Sequence, residues 1–167
     1  MKIEVKDFNE NIWNLVGKEW MLISGGNVTN HNAMTASWGG FGVMFSKDIA
    51  WCVIRPQRHT KKFVDNNDCF TLTFFDKKYQ DSLANIYGKI SGSNTDKDAL
   101  SNFTPIETGV PNTVSYKEAR ITIVCKKLLE NPITESSFCD KSIINTWYPE
   151  KDFHTLYMGE IISIEIN

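Results

Sequence analysis

The stretch Ile49-Ala50-Trp51-Cys52-Val53-Ile54-Arg55-Pro56-Gln57-Arg58-His59-Thr60-Lys61 (49–61) joins an apolar run to a basic turn. Six apolar residues that end just before an Arg-Pro pair predict a strand buried on both faces. Thr60 stands ahead of Phe63 and Val64, a pattern that predicts a short helix with Thr60 as its N-cap. Arginine is rare in this chain, with three residues against fifteen lysines, and two of the three lie in this one turn.

Strand patterns continue on both sides of this stretch. Cys69–Phe75 alternates large apolar residues with threonines, a pattern that predicts a strand with Phe70, Leu72 and Phe74 on one face. The glycines of His31–Phe45 predict one bent or bulged strand, and the helical patterns are short. Further strands are predicted at Met21–Ser24, Ala119–Leu128 and Leu156–Ile166, and Thr95-x-x-Asp98 resembles a capping box for a small helix through Leu100. The sequence therefore predicts a mainly β fold, an antiparallel barrel or sandwich, because a doubly wound parallel sheet needs longer helical crossovers.

The composition narrows the class of protein. A chain of 167 residues predicts one domain, 1–167, with a substantial core. A net charge of −2 argues against general nucleic-acid binding, which needs a basic face. No apolar run is long enough for a membrane span, and the N-terminus lacks the apolar region of a signal peptide. Four separated cysteines without a C-x-x-C pair indicate reduced thiols in a cytoplasmic protein.

No common catalytic motif is present. The sequence lacks G-x-x-x-x-G-K-[ST], G-x-G-x-x-G opening a helix, H-E-x-x-H and G-x-S-x-G. The three histidines have no paired ligand spacing, so no metal site is predicted.

Three segments could nevertheless bind a ligand. Arg55, Arg58 and Lys61 around Thr60 would suit a phosphate, although a solvated basic turn explains the same pattern. Asn32–Trp38 is rich in small side chains that would let a flat ligand approach the backbone, or it is a bulged strand with a core tryptophan. His154 would face a ligand at the start of the last strand, or it bonds to the backbone there.

Four motifs in order carry a resemblance to a known family. They are N-A-M-T-A-S-W at 32–38, R-P-x-R-x-T-K at 55–61, S-G-x-x-x-D-K at 91–97 and D-F-H-T-x-Y-x-G-E-I at 152–161. Together the chain from Gly25 to Ile161 resembles the flavin reductase-like FMN-binding proteins, in particular the flavoredoxin-type branch. The resemblance implies a split β-barrel of Greek-key type that forms a homodimer and binds FMN. It also implies electron transfer from NADH or NADPH through the flavin.

The resemblance also implies the site residues. The FMN phosphate would be held by Arg55, Arg58, Thr60 and Lys61. The isoalloxazine ring would be lined by Asn32, Met34, Thr35, Ala36, Ser37 and Trp38. Ser91 and Gly92 would close over the ribityl or phosphate side, and His154, the candidate catalytic residue, would lie near the open face of the flavin.

Two residues depart from the family pattern. Ser93 stands where many relatives have arginine, and His59 stands where tyrosine is common. Two other functions fit the same residues. One is a non-catalytic FMN electron carrier with a redox partner protein. The other is a split-barrel module that binds another phosphorylated cofactor, such as pyridoxal phosphate or a nucleotide.

Overall fold

The computed structural model describes all 167 residues and consists mainly of antiparallel strands joined by short helices. The strands are β1 (Lys2–Ile3), β2 (Met21–Asn27), β3 (Asn30–Ala36), β4 (Gly39–Met44), β5 (Lys47–Ile54), β6 (Cys69–Phe75), β7 (Pro105–Ile106), β8 (Ser115–Tyr116), β9 (Ala119–Pro132) and β10 (Thr155–Ile166). The α-helices are α1 (Ile12–Asn14), α2 (Thr60–Asp65), α3 (Gln80–Ser82), α4 (Lys97–Ser101) and α5 (Ser142–Trp147). Single 3-10 turns cover Val5–Asp7, Lys77–Tyr79 and Glu135–Ser137, and π-helical turns cover Leu15–Glu19 and Leu83–Tyr87.

One eight-stranded antiparallel sheet organises the chain. Its strands follow the order β3-β2-β6-β9-β10-β5-β4, with β1 added to β10, and β7 and β8 form a separate pair. Met34 on β3 and Cys52 on β5 lie far apart in that order, yet both belong to the same buried apolar cluster. The sheet therefore curls around one core, and the predicted mainly β fold with short helices is confirmed.

The sequence prediction of one bent strand over His31–Phe45 was wrong. The segment forms two strands, β3 and β4, which are separated by Ser37 and Trp38. β4 leaves β3 and pairs with β5 instead, at a register where a Cβ on Gly39 would lie 2.6 Å from the carbonyl oxygen of Trp51. The glycine thus permits a close strand pairing at the sheet edge, and Ser37 and Trp38 are left at the gap between the two strands.

Two predicted helix caps were also wrong. His59, and not Thr60, precedes α2, and the Asp96 side chain, and not Thr95, caps α4 by accepting from the backbone N–H groups of Asp98 at 3.1 Å and Ala99 at 3.0 Å. The Thr60 hydroxyl is therefore not used in capping.

The connection between β9 and β10 contains α5, a helix that the sequence pattern did not predict. No helix of the chain is long and apolar enough to cross a membrane.

Candidate functional site

A cavity of about 210 Å³ lies at the gap between β3 and β4; we call it the ring cavity. Its lining residues are Met34, Thr35, Ala36, Ser37, Trp38, Val53, Arg55, Arg58, Trp147 and His154. The fold thus brings most of the 32–38 motif, both arginines of the basic turn and His154 to one place. Asn32 lies outside this cavity.

Aromatic side chains form one wall of the ring cavity. Trp38 lies between His154, at 5.1 Å between ring centroids, and Trp147, at 5.2 Å. The Trp147 ring meets Trp38 nearly edge-on. Trp38 is 36% exposed and Trp147 is 50% exposed, so a planar molecule in the cavity would find large apolar surface that the protein itself leaves uncovered.

His154 is a neutral polar group of this wall. Its Nδ1 is 2.7 Å from the Tyr148 hydroxyl. Burial, assisted by the positive charge of Arg55 and opposed by Asp152, lowers the pKa of His154 to about 4. The imidazole is therefore uncharged at neutral pH and can donate or accept a hydrogen bond without bringing charge to the cavity.

Arg55 is occupied by protein partners. Its guanidinium pairs with the Asp152 carboxylate and donates to the carbonyl oxygen of Trp147 at 2.8 Å. The same group lies over the Tyr148 ring, 5.1 Å from its centroid. The structure thus places Arg55 in the wall of the ring cavity and not with the other predicted phosphate residues.

A second, smaller cavity of about 80 Å³ adjoins the first at Arg58; we call it the basic cavity. Its lining residues are Arg58, His59, Thr60, Lys89, Ile90, Ser91, Gly92 and Lys97. Three lysine or arginine side chains and two hydroxyls converge here, and no carboxylate lines the cavity. Such a set of donors is the chemistry that binds phosphate.

The cations of the basic cavity have carbonyl oxygens, and not carboxylates, as their direct partners. Arg58 donates to the carbonyl oxygens of Gly88 at 2.8 Å and Tyr87 at 2.7 Å. The Lys97 ammonium donates to the carbonyl oxygen of Ala33. Burial, together with the charge of Arg58 and against that of Asp98, lowers the pKa of Lys97 to about 8. Both side chains keep N–H groups that these carbonyls do not use.

Three further features concern the basic cavity and its surroundings. Thr60 is 1% exposed and its buried hydroxyl has no hydrogen-bond partner, although a buried polar group normally has one. A Cβ on Gly92 would collide with the Asn32 side chain. Glycine at position 92 therefore lets the backbone pass close to Asn32. The Asn32 amide nitrogen is also buried without a partner.

Lys61 lies in neither cavity. Its ammonium pairs with Asp65, one turn along α2, at 2.9 Å and lies 5.6 Å from the centroid of the Tyr157 ring.

Two residues of the site were not predicted from the sequence. Lys97 ends the S-G-x-x-x-D-K motif, and that position was the available signal for it. Trp147 belongs to the unpredicted helix α5, and no local pattern marks it.

Comparisons with known proteins define the fold. No family model matches the chain, and no curated protein matches its sequence. Among solved structures, flavoredoxin from Methanosarcina acetivorans is similar, with a TM-score of 0.69 and 16% identity over 99% of this chain and 76% of that chain. An FMN-binding domain of a flavin reductases-like enzyme from Shewanella baltica OS155 has a TM-score of 0.67 and 13% identity, over 98% and 75% of the two chains.

The NADH:FAD oxidoreductase of Streptomyces globisporus C-1027, in complex with NAD and FAD fragments, is also similar. Its TM-score is 0.61 at 11% identity, over 89% of this chain and 74% of that chain. At such identities the likeness establishes the fold alone. It confirms that the chain has the split-barrel fold of flavin reductase and flavoredoxin structures.

Proposed function

We propose that this chain binds FMN and transfers reducing equivalents from NADH or NADPH through the flavin. The observation that carries the proposal is the basic cavity, which has no carboxylate and adjoins an aromatic-walled cavity through Arg58. A ligand with a planar ring at one end and a phosphate at the other matches this pair. Similar structures that are described as flavin-binding support the choice of ligand.

Arg58, Lys97 and Thr60 would hold the phosphate, with Ser91 and Gly92 beside it. FMN, when bound, supplies the hydride and electron chemistry, and the protein supplies position and electrostatics. Met34–Trp38 would line the ring, and the buried neutral His154 would offer a hydrogen bond without adding charge. This division explains why the site needs no nucleophile and no metal ligand.

The identity of the electron donor is part of the proposal. One similar structure is an NADH:FAD oxidoreductase, and Trp147, which lines the ring cavity, is half exposed to solvent. A nicotinamide ring could reach the bound ligand from the side of Trp147.

We also propose that the chain forms a homodimer through the edge of β4. This strand lies at the end of the sheet, and Val43 and Phe45 at its hairpin tip are 76% and 59% exposed. An unpaired apolar edge favours association with another strand or surface. Sedimentation of the wild-type chain and of Phe45→Lys tests this: a dimer that the lysine dissociates is expected, and a wild-type monomer would contradict it.

The proposed activity is tested in two steps. The visible absorption spectrum of the purified protein, before and after addition of FMN and desalting, should show bound oxidised flavin. Oxidation of NADH and NADPH with FMN present should then exceed the rate in buffer. A protein that binds no flavin contradicts the proposal, whereas binding without turnover would leave an electron carrier as the function.

A further inference from the structure

Trp147 is a large apolar side chain that the protein holds half in water at the mouth of the ring cavity. It is 50% exposed, and its aromatic neighbour is Trp38, which it meets at an interplanar angle of 85°. A tryptophan normally contributes most to folding stability when the faces of its ring are buried. Here much of that surface remains available to a ligand in the cavity.

The position of Trp147 is fixed through its backbone. Arg55 donates to the Trp147 carbonyl oxygen at 2.8 Å and pairs with Asp152 through its other terminal nitrogen. Gln57 donates to the same Asp152 carboxylate oxygen at 2.7 Å. The two ends of the 147–152 segment are thus tied to the turn after β5, while the Trp147 indole contacts Trp38 edge-on and stays half exposed.

The Arg55 contact depends on the shape of the guanidinium. Its planar fork reaches a carboxylate and a carbonyl at the same time, and its flat face lies over the Tyr148 ring. A lysine ammonium is a point charge and could not reproduce the fork and the stacking together. Arg55→Lys therefore keeps the charge but should release the segment.

We propose that Trp147 is a specificity-determining residue of the ring cavity and that Arg55 is its positioning residue. Trp147 favours planar aromatic ligands by packing against them, and Arg55 holds Trp147 in the position where it can do so. The inference rests on the proposed function, because flavin is the planar ring considered. It explains why one arginine of the basic turn lies away from the basic cavity.

The test is the affinity for riboflavin, which carries the ring without the phosphate, measured by fluorescence titration beside FMN. Trp147→Ala should weaken both ligands by the same factor, about 10-fold, as expected for loss of an aromatic contact. Trp147→Phe should recover most of the affinity. Trp13→Ala is the matched control, because Trp13 is 85% exposed on α1 and lines neither cavity.

The role of Arg55 is tested by the double variant. Arg55→Lys should weaken riboflavin, and adding Trp147→Ala to it should cause little further loss, because both changes remove one contact. Bound-flavin fluorescence should rise in Trp147→Ala and in Arg55→Lys but not in the Trp13 control. Unchanged riboflavin affinity in Trp147→Ala, or fully additive losses, would overturn the inference while flavin binding stands. A wild-type chain that binds no flavin would overturn the proposed function as well.

Discussion

Replacing Lys97 with methionine should weaken FMN binding while the binding of riboflavin stays nearly unchanged. Methionine keeps an apolar stem where the Lys97 ammonium now lies 5.4 Å from the centroid of the Tyr87 ring. It removes only the charge and its donors. One ammonium N–H bonds the carbonyl oxygen of Ala33, which leaves two for a phosphate. One hydrogen bond between charged groups contributes about 1.5–3 kcal/mol, which corresponds to about 10- to 150-fold in the dissociation constant.

The pH dependence follows from the protonation of Lys97. Burial and the nearby charge of Arg58 lower the pKa of Lys97 to about 8, so in the free protein the ammonium persists below pH 8 and is lost above it. A phosphate monoester is already a dianion there, because its second pKa is about 6. FMN affinity should therefore be flat from pH 7 to about 8 and then fall by up to about 10-fold per pH unit.

Calorimetric or fluorescence titration of FMN and riboflavin from pH 7 to 9.5 measures both effects. The fall in FMN affinity above pH 8 should be absent in Lys97→Met and present in Lys117→Met. Lys117 is the matched control because it is exposed and lies outside both cavities. Equal losses for riboflavin and FMN in Lys97→Met, or a flat wild-type profile, would refute the assignment of Lys97 to the phosphate.

Three other changes test neighbouring parts of the site. Arg58→Ala should weaken FMN by about 1.5–3 kcal/mol; an unchanged dissociation constant would remove Arg58 from the phosphate site. Gly92→Ala should weaken FMN at least several-fold, because relief of the clash between the new Cβ and the Asn32 side chain would shift the Ser91-Gly92 backbone that lines the basic cavity; unchanged FMN affinity would contradict the close fit. His154 has a pKa of about 4 in the folded chain, below the ordinary value, so the unfolded chain takes up an extra proton as the pH falls from about 6.5 to 4. Urea unfolding should therefore show the wild type losing about 1–3 kcal/mol more stability over this range than His154→Gln; equal losses would contradict the buried neutral histidine.

Strands in which large apolar residues alternate with polar ones were predictable, because successive side chains of any strand point to opposite faces and this depends only on the local backbone. Cys69–Phe75 was predicted as a strand and forms β6 with the same bounds. The division of His31–Phe45 into β3 and β4 was not predictable in this way, because it depends on the pairing of β4 with β5. Small residues and glycines are compatible with a bulge and with a break between strands, and only the tertiary pairing decides between them.

The basic turn shows a similar limit for the site. Its sequence places Arg55, Arg58 and Lys61 within seven residues, but the three side chains diverge. Arg55 pairs with Asp152, which is distant in the sequence, and Lys61 pairs with Asp65. Lys97 carried no local signal of burial, because lysines are rarely buried. Partner choice among charged side chains is a tertiary property, so the pattern indicated the region and not the individual contacts.

That partner choice also explains why the basic cavity points to an anion. Arg55 and Lys61 each pair with a carboxylate of the chain, whereas Arg58 and Lys97 donate hydrogen bonds to backbone carbonyl oxygens. The buried Lys97 and the half-buried Arg58 are neighbouring cations that repel each other, and the pKa of Lys97 is lowered in part by the charge of Arg58. A buried charge without a counter-charge is costly. The Asp98 carboxylate, whose charge acts on Lys97, is itself bonded to His31 and Tyr87 and does not line the basic cavity. No carboxylate lines the cavity, so its positive charge is left for a ligand to balance, and a phosphate would do so while also giving the Thr60 hydroxyl a partner.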